Sequence, residues 1–299
     1  MVKKIAPYFQ GWYVKHQNGE KTVAFIVGFQ IDGNGRRSAF VQVVTDEGSC
    51  CVPFAFEEFA AAPGEFAVRV GDNVFAERGC RVNLHGAGME ICGELRYGAM
   101  ARLRGDIMGP FAHVPRMECS HGVVSLRHRV DGSLWINGEQ VDFTDGTGYI
   151  ESDAGRSFPR CYAWVQCNRF GERDASVMAS VAHIPYGPLQ FTGCIAAVWL
   201  DGREYRLATY RGVKVLRCDS RKIELEQRGL RLVVEAEAAQ AHALAAPQRG
   251  AMSRTIHESP ACGAAFRFYD GRRTLFEEYS TGASCEFVGV GLARQSIYR

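Results

Sequence analysis

Long apolar runs are missing from the 299-residue chain. None approaches the ~18 residues a membrane-spanning helix needs. The leader Met1–Pro7 has two lysines but no apolar core, so no export signal is expected there and a cytoplasmic location is. An excess of one charge is also missing. The 35 Lys and Arg nearly cancel the 33 Asp and Glu, leaving a net charge of +2. That disfavours nucleic acid as a partner, because phosphate binding needs a concentrated basic face, and no polybasic membrane patch stands out. The 11 cysteines form no C-x-x-C pair and are odd in number and scattered, so reduced, mostly buried thiols are expected rather than a disulfide framework.

The familiar catalytic motifs are absent too. There is no G-x-G-x-x-G opening a helix, no phosphate loop, no G-x-S-x-G and no H-E-x-x-H. Cys119-x-His121, with His113 and His128 nearby, matches no common zinc spacing, so no metal is expected. No 3.6-residue period is sustained over about twelve residues, which excludes a helical architecture. Phe56–Ala62 is at most a short helical turn. Glu235–Ala246 is Ala-rich, yet it is read as extended because the alternation begun at Leu230 continues into it.

Turns and alternation are abundant. Of the 33 glycines, eight directly follow Asn or Asp: Gly19, Gly33, Gly35, Gly132, Gly138, Gly146, Gly202 and Gly271. Such pairs tolerate positive φ and favour type I′ hairpin turns. Strand-like stretches flank many of them: Thr22–Gln30 and Ser38–Thr45, Val123–Val130 and Ser133–Ile136, Ala264–Tyr269 and Thr274–Tyr279. Lys222–Glu226 alternates strictly, as do Leu230, Leu232 and Val234 against charged neighbours. The pattern predicts an all-β chain of antiparallel sandwich or barrel type. The length fits two such domains, 1–195 and 196–299, with a soft boundary at about 185–215 and no linker to mark it.

The chemistry concentrates in Gly109–Asn168, which sets Glu118, His121, Arg127, Glu151, Asp153, Gln166 and Asn168 among apolar and aromatic neighbours. On a strand Glu118 and Ser120 share one face, Cys119 and His121 the other. Tyr162, Trp164, Gln166 and Asn168 likewise share a face. Two aromatics followed by two amides suit an apolar pocket with a few placed polar groups, although a solvent-facing strand would read the same way.

Several stretches together resemble the tocopherol cyclase family, the enzymes that close the chromanol ring of vitamin E. They are Tyr8–Lys15, Met117–Leu126, Gly148–Asp153, Gly155–Pro159, Ala179–Pro185 and Tyr205–Tyr210, in order over most of residues 8–212. The last third matches only loosely. Where the family usually has Trp between the positions of Asp153 and Gly155, this chain has Ala154. The family is similar to carotenoid hydratases and lipocalin-like Diels–Alderases. The resemblance therefore implies two lipocalin-like β domains packed together and a long apolar substrate such as a prenylated quinol, collected through transient membrane contact.

It also implies a cofactor-independent reaction in which a phenol oxygen adds across a prenyl alkene. Alkenes are very weak bases, so the site needs a strong or well-aimed acid in a dry cavity. Asp153, Glu151 and Glu118, in that order, are candidate acids, and His121 or His183 a candidate acceptor of the phenol proton. Each carboxylate could instead be structural, paired with an arginine such as Arg127 or Arg156. Trp12, Tyr13, Arg127, Tyr149, Tyr162, Trp164, Gln166, Asn168 and Tyr210 are candidate substrate contacts. Two other readings stay open: a non-catalytic carrier of a prenyl quinone or similar lipid, and an alkene hydratase or pericyclase on the same scaffold.

Overall fold

The computed structural model describes residues 6–290 except Glu20, Ala87, Arg116 and Pro188. Most of the leader, Met1–Ile5, lies outside the described residues. Strands dominate, and the described helices are single 3₁₀ turns at Phe56–Glu58, Gly109–His113 and Thr209–Arg211. Among the described residues no helix is long and apolar enough to cross a membrane.

The first antiparallel sheet contains β1 (Tyr8–Gln17), β2 (Thr22–Ile31), β3 (Arg37–Thr45), β4 (Ser49–Phe54), β5 (Phe59–Ala61) and β6 (Ala67–Val70). It continues with β7 (Asn73–Ala76), β8 (Gly79–Gly86), β9 (Met89–Tyr97), β10 (Cys119–Ile136), β11 (Glu139–Asp142) and β12 (Gly146–Gly155). Its order is β4-β3-β2-β1-β12-β10-β9-β8-β7-β6-β5, with β11 paired to β10. The second sheet contains β13 (Tyr162–Cys167), β14 (Ala175–Tyr186), β15 (Leu189–Leu200), β16 (Arg203–Ala208) and β17 (Lys214–Cys218). It continues with β18 (Lys222–Gln227), β19 (Leu230–Ala236), β20 (His242–Gln248), β21 (Ala251–Asp270) and β22 (Arg273–Val288). Its order is β16-β15-β14-β13-β22-β21-β19-β18-β17, with β20 paired to β21.

The all-β antiparallel expectation holds, and both sheets stay open rather than closing into barrels. Edge strand β4 carries Pro53 and edge strand β5 is only three residues long, two ways of blunting an exposed edge. Strand alternation builds one apolar core in each unit. In the first, β8 and its neighbours bury Phe75, Val82, Leu84 and Ile91 against Val14, Phe25 and Val41. In the second, Val165, Val177, Leu225, Phe266 and Phe268 lie in one cluster.

The compact units do not follow a single cut at 195/196. The first takes the chain up to Arg102, Cys119–Phe158 and Ala243–Thr255; the second takes Leu103–Glu118, Pro159–His242 and the chain from Ile256 onward. The cause is strand pairing. β12 lies between β1 and β10 in the first sheet, whereas β13 pairs with β14 and β22 in the second. The stretch 162–195, expected in the N-terminal domain, therefore sits in the second unit.

One expected hairpin does not form. β10 runs straight through Asp131-Gly132, and the chain turns at Asn137-Gly138 instead. Asn137 and Gly138 have φ of 51° and 85°, as a type I′ turn requires. The same geometry recurs at Asp201-Gly202, and at Arg228-Gly229 and Arg249-Gly250, where an arginine takes the place usually held by Asn or Asp.

Candidate functional site

β1, β12 and β10 lie side by side in the first unit. Their register sets Gly11 opposite Asp153 and Asp153 opposite His121, with Tyr13 opposite Glu151 and Glu151 opposite Val123. Side chains two apart share a face, so Tyr149, Glu151 and Asp153 line up beside Gly11, Tyr13, Lys15, Cys119 and His121. The other face of β12 carries Ile150, which belongs to the apolar core. Both faces of this region are closed off, because β1 is buried along most of its length.

On that shared face the polar groups form a chain. His121 Nδ1 lies 3.0 Å from Asp153 Oδ1, and His121 Nε2 lies 3.4 Å from Glu151 Oε2. The Tyr149 hydroxyl donates to Glu151 Oε2 at 2.6 Å. The Cys119 thiol reaches Asp153 Oδ1 at 3.5 Å. Glu151 is only 5% exposed and Tyr149 is fully buried. Burial, and then the charge of Glu151, push the Tyr149 hydroxyl well above the usual phenol range, so it stays protonated and serves as a donor.

The ligand-type atoms of His121, Glu151 and Asp153 lie within 4.8 Å of one another, so these three could hold a cation. As placed, each ring nitrogen faces a different carboxylate, which is the arrangement of a proton carrier. A chelate would need one nitrogen turned toward both acids.

The sequence reading missed Lys15. It is fully buried on the same face, opposite Tyr149 in the register and diagonal to Glu151. Its place two residues after Tyr13, on the same face of β1, was the available signal. On the second unit the reading also missed Glu258, fully buried and opposite Glu286. Nothing local in the sequence pairs two glutamates 28 positions apart.

The remaining candidates fall elsewhere. Trp12 is on the core face of β1, stacked on Phe59 with ring centroids 6.5 Å apart, and so points away from the acids. Ala154 also faces away, since it alternates with Asp153; the family's Trp at that position would not stand beside the acid. Arg127 is half-buried on β10. Glu118 and His183 are half-buried in the second unit, and His183 Nε2 bonds Gln190 Oε1 at 2.7 Å.

Tyr162, Trp164, Gln166 and Asn168 are buried in the second unit and alternate with core residues Ala163, Val165 and Cys167, which excludes a solvent-facing strand. The Tyr162 hydroxyl donates to Glu286. Tyr210 donates to the carbonyl of Ile107 at 3.0 Å, and its ring packs over Gly109.

This all-β architecture is lipocalin-like. The chain is similar to an AttH-like protein from Nitrosomonas europaea, with 13% identity, a TM-score of 0.55, and coverage of 93% of this chain and 92% of that one. It is also similar to kievitone hydratase from Nectria haematococca, with 12% identity, a TM-score of 0.54, and coverage of 95% and 89%. Residues 90–209 match the family described as tocopherol cyclase-like, so the resemblance read from the sequence holds over that stretch. His121, Tyr149, Glu151 and Asp153 all lie inside it.

Proposed function

We propose that this protein catalyses acid-promoted addition to an alkene of an apolar substrate, with a phenol of the same molecule as nucleophile, closing a chromanol-type ring. The observation that carries the reading is the buried chain Asp153–His121–Glu151–Tyr149. Asp153 Oδ1 is engaged by His121 and Cys119, which leaves Oδ2 to carry the proton. In its neutral form Asp153 gives that proton to the less substituted alkene carbon. His121, in contact with Oδ1, supports the carboxylate left behind. Glu151, held by the Tyr149 hydroxyl, faces the other ring nitrogen and fixes the orientation of the imidazole.

The tertiary cation is trapped by the phenol oxygen, and the phenol proton returns to Asp153. Atoms balance, the product is an isomer of the substrate, and the protein is regenerated. Nearby Tyr13 and Tyr149 present rings that can stabilise the cation.

The test is mass spectrometry of purified protein with a panel of prenylated hydroquinones. An isomeric product is expected, and Asp153→Asn should abolish it while leaving substrate binding intact. Turnover that survives Asp153→Asn removes Asp153 as donor. A product heavier by one water would make the reaction a hydration on the same acid, and tight binding with no conversion would make the protein a carrier.

A further inference from the structure

We infer that Cys262 and Cys285 form a redox-responsive pair, which a hydroperoxide converts into a disulfide joining β21 to β22. The pair belongs to the second unit and plays no part in the proposed ring closure.

Backbone register brings the two cysteines together. Glu258 pairs with Glu286 and Ser259 with Cys285, but Cys262 pairs with Ala283, so β21 carries one extra residue between Ser259 and Cys262. An extra residue reverses which side chains face the core. In an unbroken ladder Ser259 and Ala261 would take the core side with Cys285. After the bulge Cys262, Ala264, Phe266 and Phe268 take it instead. The Ser284 hydroxyl donates to the Pro260 carbonyl at 2.8 Å and so holds the bulge. Cys285 and Ala283 are two apart on β22 and share the core side, which sets Cys262 diagonal to Cys285.

The two sulfurs are 3.1 Å apart as thiols. A disulfide needs about 2.05 Å, so about 1 Å of approach separates the two states. One thiol donates to the other, which favours the neighbour's thiolate, the form that attacks an oxidant. Cys262 is 3% and Cys285 5% exposed, against 0% for Cys167 in the same core. A peroxide, little larger than water, reaches such sulfurs through small local openings, whereas a bulky alkylating reagent does not.

The chemistry balances with hydrogen peroxide as oxidant. One sulfur attacks a peroxide oxygen, the O–O bond breaks, and a sulfenic acid and a water form. The second sulfur attacks the sulfenic sulfur, the S–O bond breaks, and a second water leaves. Two electrons pass from sulfur to the O–O bond, and both thiol hydrogens end in water. Contact between the sulfurs makes the second attack intramolecular, so it outruns further oxidation.

Mass spectrometry of the full chain tests the pair. Exposed Cys51 and Cys92 are first blocked with N-ethylmaleimide in the native protein, which is then treated with hydrogen peroxide, denatured and alkylated with iodoacetamide. Two fewer alkylated cysteines are expected, with a peptide cross-link between Cys262 and Cys285 that dithiothreitol reverses. The thermal unfolding midpoint of the oxidised protein should rise by several degrees, because the bond closes the β21–β22 hairpin. That rise should vanish in Cys262→Ala and in Cys285→Ala. Iodoacetamide on both cysteines after peroxide overturns the inference, as does a sulfinic acid at either, a disulfide from either to a different cysteine, or a rise that persists in both variants. Should an alanine variant fail to fold, the cross-link map of the wild-type protein decides by itself.

Discussion

His16 and His128 show how far a single residue's role depends on its surroundings. Both lie in the first unit on the face opposite the acid chain, across Gly148 from one another in the register. His16 Nε2 and the Tyr97 hydroxyl are 2.6 Å apart, and His128 Nδ1 and Ser125 Oγ 3.0 Å apart. Burial lowers both pKa values to about 3, aided at His16 by the charge of His128. Both rings are therefore neutral when folded, while the unfolded chain takes up protons below its ordinary histidine pKa of about 6.5. Stability should be flat above that pH and fall as pH drops from about 6.5 toward 3, by up to ~1.4 kcal/mol per pH unit for each ring. Urea unfolding at pH 7, 6 and 5 measures this. The same stability at pH 5 as at pH 7 would show that the rings are not buried neutral.

At the level of elements, Gly132 separates a turn signal from a turn. Asp131-Gly132 has the composition of a hairpin turn, but Gly132 has φ of 123° inside β10, and a Cβ there would fall 2.4 Å from the Glu94 carbonyl oxygen. The glycine lets β9 and β10 approach closely. Gly132→Ala should cost at least about 1–3 kcal/mol from backbone strain, read from chemical unfolding. A variant as stable as wild type would show that β10 bends there at no cost. The sequence could not reveal this, because the clash is with a strand about 40 residues away. Conversely, Arg228-Gly229 and Arg249-Gly250 turn without Asn or Asp, since closure of the flanking strands imposes positive φ on an arginine.

For the whole molecule, the informative segment is Leu103–Glu118, which leaves the first unit's part of the chain and is clamped in the second. The Arg206 guanidinium donates to the carbonyls of Asp106 at 2.6 Å, Gly105 at 3.2 Å and Arg104 at 3.4 Å, and pairs with Glu204 at 2.7 Å. Glu204 in turn accepts from the Arg104 amide at 2.7 Å. Tyr210, expected to contact substrate, closes the same clamp through Ile107. Arg206→Leu would strand a buried carboxylate and several carbonyls, a loss of about 3–5 kcal/mol. Limited proteolysis should then cut first within 103–118. A variant cleaved at the same sites and rate as wild type would show that the segment is held by other contacts.

The amino-acid sequence determined the strands, most of the turns, the antiparallel all-β class and the short list containing His121, Glu151 and Asp153. Alternation and glycine placement are local properties, and the family resemblance is itself a property of the sequence. Tertiary structure decided which of those residues meet. Only register across β10, β12 and β1 brings His121 between two acids, adds buried Lys15 and turns Trp12 and Ala154 away. Register is set by pairing between strands far apart in the chain, and a shift of one residue would send every one of these side chains to the opposite face.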